Sequence, residues 1–265
     1  MSTRTNAKAE ILSGETTIEF ANVEYRVPGR DDRSVLSGIS LKIHQDETIA
    51  LLGRSGSGKT TMLKLINRLR TCSSGNLFVE NQPVRNWDVI QLRRRIGYVI
   101  QEVGLFPHFT IEQNVCLVPG LENWPAERIK LRFAEVMQLV GLNPAEYADK
   151  HPRELSGGQR QRIGVARALA ADPAILLMDE PFGALDPVTR AELQREFLAL
   201  SRKVSKTTVL VTHDLREALL LATRVVLLDA GRIVAEASPE DFLKLDQKVA
   251  RDFMAASELV TGAAQ

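Results

Sequence analysis

Gly53-Arg54-Ser55-Gly56-Ser57-Gly58-Lys59-Thr60 decides how the chain folds, because it matches the G-x-x-x-x-G-K-[ST] pattern of a phosphate-binding loop. Its flanks carry the two elements such a loop must join. Thr48 to Leu52 is a short apolar run, as expected of a buried strand. Beyond the loop, Met62, Leu63, Leu65, Ile66 and Leu69 recur at three- and four-residue spacing, which predicts a helix with one buried face. The glycines allow the backbone to fold back until successive N–H groups and the helix N-terminus converge on an anion, with no Cβ in the way. Lys59 is then expected against the β- and γ-phosphates of a nucleotide, with the hydroxyl of Thr60, assisted by Thr61, on Mg²⁺.

A second element bears on the same chemistry. Ala174-Ile175-Leu176-Leu177-Met178 reads as a buried parallel strand that ends in Asp179-Glu180. Ligands of α/β sheets bind at such C-terminal strand ends. Asp179 is expected to hold the Mg²⁺ shell. Glu180 is expected to accept a proton from an attacking water, an effect worth about 10² to 10⁴ in rate. Standing alone, an Asp-Glu pair would read as a solvated strand end. Its place after a wholly apolar strand, in a chain with a phosphate loop, reverses that.

Downstream of the loop lies Leu155-Ser156-Gly157-Gly158-Gln159. With it the chain resembles the nucleotide-binding subunit of an ATP-binding cassette (ABC) transporter, whose signature reads LSGGQ. The resemblance runs from about residue 17 to residue 245. It implies an α/β fold with a P-loop NTPase (RecA-like) parallel-sheet core, an antiparallel β flank and an inserted α-helical subdomain. A single nucleotide-binding domain is expected over 16–245, with the helical subdomain at about 102–165. Residues 1–15 are expected to be disordered and 246–265 to form a short tail.

The residues themselves agree with that layout. Alternation in Thr17-Ile18-Glu19-Phe20 and Ile39-Ser40-Leu41-Lys42-Ile43 predicts the antiparallel flank. Pro125 to Val140, with Ile129, Phe133, Met137 and Val140 on one face and Gly141 at its end, predicts an amphipathic helix. Ser238-Pro239-Glu240-Asp241 predicts the cap of a final short helix.

The resemblance also assigns roles. Gly53, Arg54, Ser55, Gly56, Ser57, Gly58, Lys59, Thr60 and Thr61 would contact ATP. Gln101, after the expected strand Gly97 to Ile100, would touch Mg²⁺ and the attacking water. His213, after the strand Thr207 to Thr212, would act as the switch histidine near the γ-phosphate. Gly183-Ala184-Leu185-Asp186 corresponds to the D-loop, with Gly183 where the family usually has Ser, and Asp186 counts among the nucleotide residues. The position of the adenine-stacking aromatic falls on Val27, and Tyr25, two residues earlier, is the candidate substitute.

Ser156, Gly157, Gly158 and Gln159 form a second anion site, at the start of a helix expected to run to about Ala170. One triphosphate cannot occupy two separate cradles in one subunit unless they face each other. In the family they do so across a head-to-tail dimer with two ATP molecules between, which implies a second ATP-binding subunit, here a homodimer. Closure by ATP and release on hydrolysis would drive integral-membrane permease subunits.

Composition narrows the setting. Of 265 residues, 44% are hydrophobic, enough for a sizeable core, and the formal net charge of +1 gives no footprint of nucleic-acid binding. No apolar stretch approaches a membrane span and Met1 to Asn6 lacks a signal-peptide core, so a soluble, cytosolic chain is expected, and the resemblance implies a subunit held peripherally on the cytoplasmic face of the bacterial inner membrane. Cys72 and Cys116 lack metal spacing. Residues 97–115, Met178 to Arg190 and Asn67-Arg68-Leu69 look most like bacterial importers of glycine betaine, choline, carnitine and proline, with His108 in the groove that grips the permease. Cargo selection would then belong to an extracytoplasmic substrate-binding protein, where aromatic cages hold a quaternary ammonium. An importer of another small solute, a lipid-trafficking ATPase and a soluble ABC protein remain alternatives. Only 36 residues follow Asp229, too few for the regulatory module many members of that subfamily carry.

Overall fold

The computed structural model describes residues 15–29, 34–183, 185–201 and 203–262, with side chains described as far as 256. Expectations for residues 1–14, Ala184 and 263–265 lie outside the described residues. Among the described residues, ten strands form two sheets. In the first, β1 (Thr16–Arg26), β2 (Ser34–His44), β4 (Ser74–Val79) and β5 (Gln82–Pro83) run antiparallel in the order β2-β1-β4-β5. In the second, β3 (Thr48–Leu52), β6 (Ile96–Val99), β7 (Ile175–Asp179), β8 (Thr207–Thr212), β9 (Arg224–Asp229) and β10 (Arg232–Ala237) take the order β10-β9-β3-β8-β7-β6. Five of these are parallel, and β10 closes one edge antiparallel to β9.

Strand parity sorts the core. In β8, Val209 and Val211 join the cluster under the antiparallel sheet, together with Ile18, Phe20 and Ile43, while Leu210 faces the opposite cluster. In β7, Ile175 and Leu177 go one way and Leu176 and Met178 the other. A sheet covered on both faces explains why every position of β3, β7 and β8 is buried, without alternation. The helix Lys59–Ile66 lies between the two sheets, burying Met62, Leu63, Leu65 and Ile66. Leu69 falls beyond that helix and is 49% exposed, because Arg68 takes a left-handed conformation and ends the periodic face. Arg224 of β9 ties the sheets together through Glu47 at 2.6 and 2.7 Å and the carbonyl of Lys42 in β2.

Four helices, Ile111–Val115, Leu117–Leu121, Ala126–Leu139 and Pro144–Tyr147, intervene between β6 and the signature segment. The helix expected over 125–140 runs Ala126–Leu139, with Phe133, Val136 and Met137 buried and Gly141 in the left-handed conformation just after it. The C-terminus departs from expectation. The capped helix Pro239–Phe242 is not the last: Lys248–Gly262 is also helical, where a short tail was expected. Ala250 and Phe253 of that helix pack with Leu52, Val225 and Leu227, a contact written in too few apolar residues to stand out in the sequence.

Candidate nucleotide site

The phosphate loop is held by its surroundings in the shape the motif predicts. Gly53 has φ +155 and Gly58 has φ +109. A Cβ on Gly53 would lie 2.3 Å from the Leu228 carbonyl oxygen, and one on Gly58 would lie 2.5 Å from Leu36 Cδ2. Glycine is thus required by space as well as by backbone angle. Gly58 is the N-cap of the helix Lys59–Ile66 and supplies no side-chain acceptor, so the helix presents its first N–H groups to the loop's concavity. Arg54, Ser55 and Gly56 are exposed, whereas Ser57 is buried with its Oγ unpartnered among the described residues. Thr61 is buried in the helix.

Lys59 is 5% exposed, and its ammonium donates to the carbonyls of Gly53 at 2.8 Å and Arg54 at 2.9 Å. Burial pushes its pKa down, against the carboxylates of Glu180 and Asp179, which raise it. Thr60 Oγ1 donates to Asp179 Oδ1 at 2.8 Å. The Tyr98 hydroxyl stands 3.5 Å from the other oxygen of Asp179, at the outer limit of a hydrogen bond. Burial raises the pKa of Asp179, and the bond from Thr60 partly offsets it. The same carboxylate raises the phenol of Tyr98, after burial itself.

Glu180 closes the strand β7 with a sharp change of direction. Its φ is +46, unusual for a residue with a Cβ, and its N–H donates to the Val211 carbonyl at 3.0 Å. The turn leaves the carboxylate where two other elements meet. Glu180 Oε2 lies 3.2 Å from His213 Nδ1, just past β8, and 3.5 Å from Gln101 Nε2, just past β6. Lys59, Thr60, Gln101, Asp179, Glu180 and His213 are therefore brought together from four strand ends. No group of three or more His, Cys, Asp or Glu is arranged as a metal cage among the described residues. A hydroxyl beside one carboxylate suits Mg²⁺, which keeps several waters and relies on substrate phosphates for further oxygens.

The signature segment stands apart from this cluster. Ser156 is the N-cap of the helix Gly157–Leu169, its Oγ accepting from Gln159 N at 3.2 Å while Gln159 Oε1 accepts from Ser156 N at 2.9 Å. Gln159 Nε2 also donates to the Tyr147 hydroxyl at 3.0 Å, which ties the cap to the inserted helices. Ser156 and Gly157 are exposed, while Gly158 is buried against Thr189.

Three expected nucleotide residues have other roles within the chain. Tyr25 is 6% exposed in the main core with the Arg70 guanidinium 5.1 Å from its ring centre, so its ring is not on offer to a base. Val27 lies past the end of β1, partly buried against the same core. Counting residues by face misleads there because β1 carries register shifts at Phe20/Val23, Val23/Tyr25 and Tyr25/Arg26. Asp186 caps the helix Pro187–Ser201, accepting from Val188 N at 3.1 Å and Thr189 N at 3.0 Å, and the Thr189 hydroxyl together with these backbone bonds holds its carboxyl below the usual range.

Other residues support the site without a sequence signal of their own. Arg167, in the signature helix, donates to the carbonyls of Val103 at 2.6 Å and Gly104 at 2.7 Å and so ties that helix to the segment after Gln101. Asn114 is fully buried. It accepts from Phe106 N at 2.7 Å and donates to the carbonyls of Phe106, Phe109 and Thr110. Around it Phe106, His108 and Phe109 remain exposed, the two rings 5.3 Å apart.

Residues 36–183 match the ABC transporter family as a whole. The chain belongs to the ABC transporter family. Within this family it is 53% identical over 212 residues to the glycine betaine/carnitine/choline transport ATP-binding protein OpuCA of Bacillus subtilis, a match covering 80% of this chain and 56% of the relative. It is 46% identical over 243 residues to the glycine betaine uptake system ATP-binding protein YehX of Escherichia coli, covering 91% of this chain and 78% of that one. The chain spans little more than half the length of several relatives it matches. A dimeric structure of a bacterial ABC transporter cassette superposes with a TM-score of 0.76 at 33% identity, over 84% of this chain and 98% of that one. The expected ABC ATPase fold is thereby borne out.

Proposed function

We propose that this ABC family member is the ATP-hydrolysing subunit of an importer for osmoprotectants, chiefly quaternary amines, such as glycine betaine, choline, carnitine or proline. The observation that carries the hydrolytic part is Glu180, set between His213 and Gln101 beside the phosphate loop. The relatives' names support the cargo. In this reading the loop N–H groups and Lys59 hold the ATP phosphates, with Lys59 leaving its two carbonyls for them. Thr60, Asp179 and Gln101 would hold Mg²⁺. That ion, when bound, neutralises charge on the β- and γ-oxygens. Glu180 takes the proton of the attacking water, while Gln101 and His213 orient the groups around it.

Ser156, Gly157 and Gly158 serve the nucleotide of a second copy, so hydrolysis requires a head-to-tail homodimer. Permease subunits dock on the exposed segment around Phe106 to Phe109, and an extracytoplasmic binding protein delivers cargo to them. The subunit sits peripherally on the cytoplasmic face of the inner membrane. The test is co-purification with the permease and ATP-driven uptake of labelled betaine, choline and proline into proteoliposomes. Uptake of at least one of them, lost in Glu180→Gln, is expected. ATP hydrolysis without uptake of any would overturn the cargo, and no hydrolysis would overturn the whole reading.

A further inference from the structure

The hydrolytic reading leaves one well-buried carboxylate without a task. Glu217 is 4% exposed on the helix Leu215–Leu221, which follows the turn carrying His213. Burial raises its pKa, against hydrogen bonds that stabilise the ionised form. Gln194 Nε2 donates to Glu217 Oε1 at 2.9 Å, and the Thr212 hydroxyl donates to the same carboxylate. Thr212 is the last residue of β8, and its oxygen accepts from Asp214 N at 3.0 Å, closing the turn around His213.

Gln194 leads the other way. It lies one turn beyond Arg190 in the helix Pro187–Ser201. The Arg190 guanidinium donates to the Leu185 carbonyl at 3.0 Å and reaches that of Gly183 at 3.5 Å. Arg190 also stabilises the Glu217 charge from a distance. Gln194, Glu217 and Thr212 are thus hydrogen-bonded in series to the turn of His213, which itself stands 3.2 Å from Glu180, and the helix that carries Gln194 holds the carbonyls of Gly183 and Leu185 through Arg190.

We propose that Glu217 is a positioning residue that makes the backbone at Gly183 and Leu185 and the His213 turn one mechanical unit, so that a shift at those two residues resets the geometry at Glu180. The proposal rests on the reading of this chain as an ATPase. Buried polar networks of this kind act through all their members, because each bond left unmade leaves a buried group unpaired.

The experiment compares ATP hydrolysis by the full chain in wild type, Glu217→Ala, Gln194→Ala and the double variant, with a fluorescent ATP analogue reporting binding. Each single substitution is expected to lower kcat about tenfold, as small misplacements of reacting groups do, with KM and analogue affinity within about twofold. The double variant should be no slower than the slower single, since both cut the same linkage. Glu217→Gln keeps an acceptor for Gln194 and should restore about half of the wild-type rate. Unchanged kcat in both single variants, or losses that multiply in the double, would overturn the proposal. Should Glu217→Ala not fold, Gln194→Ala decides alone by the same split of kcat from KM. A wild type without ATPase activity overturns the functional reading instead. The linkage is then read from the His213 ring resonances, which should move in Gln194→Ala; unmoved resonances overturn it.

Discussion

The phosphate loop and the signature segment are both helix N-termini offered to an anion, yet they differ in how the chain itself satisfies them. At the loop the N-cap is Gly58, which has no side chain to spend on the helix, and Ser57 Oγ is buried without a partner among the described residues. Polar and acidic side chains from three other strand ends gather beside it. At the signature, Ser156 and Gln159 satisfy each other, and the groups nearby are structural. The first site is built to bind by itself. The second is a self-capped helix whose serine must exchange its cap bond for a ligand, at a cost of about 1 kcal/mol. That difference fits a division of labour in which one site holds the nucleotide and the other completes it from a second copy.

The widest separation between the sites is expected from Glu180→Gln. Hydrolysis should fall about 10² to 10⁴-fold, because the general base is gone. Both cradles survive, so size-exclusion chromatography with ATP should show a trapped dimer; a variant that stays monomeric at high concentration breaks the comparison. Next comes Ser156→Ala, expected to lower kcat about 10²-fold, the scale of one lost oxyanion-type donor. Its monomer should bind nucleotide as wild type does in equilibrium titration, and equal loss of binding would place the serine at its own chain's nucleotide.

A smaller effect is expected from Arg167→Ala. Two charge-assisted bonds to the Val103 and Gly104 carbonyls are lost, at about 1.5 to 3 kcal/mol each as an upper bound. Thermal melting should register part of it, and coupling of ATPase to transport should fall more than ATPase itself. The smallest is Gly157→Ala. Among the described residues, a Cβ there meets only Leu185 Cδ2, at 3.9 Å. Stability should therefore change by less than about 0.5 kcal/mol, while ATP-dependent dimerisation weakens. A destabilised monomer would show that the exposed face of the signature is already spoken for.

What the sequence made legible follows from how local each signal is. The phosphate loop, its flanking strand and helix, and the acidic strand end are each contiguous, and periodicity or glycine spacing specifies them within a dozen residues. Gln101, Glu180 and His213 come together only through strand order, which the resemblance to a family supplied and spacing alone does not. The place of the adenine-stacking aromatic at Val27 comes from the resemblance and not from spacing, and the burial of Tyr25 depends on a strand that Asn22, at φ +51, and several register shifts make irregular. Gln159 and Asp186 are polar residues beside a ligand site whose first duty is to their own helices. Glu217, Arg167 and Asn114 carry no motif, since their meaning depends on carbonyls and amides distant in the chain.

Asn114 has a consequence for how such a subunit diversifies. The course of the chain from Phe106 to Thr110 is fixed by backbone groups bonded to one buried amide, so the side chains of Phe106, His108 and Phe109 are presented at the surface without having to hold that course. A surface built this way separates shape from identity. If the proposed docking role holds, substitutions there retune which partner is recognised while the frame that presents them stays in register, much as a fixed holder accepts interchangeable keys.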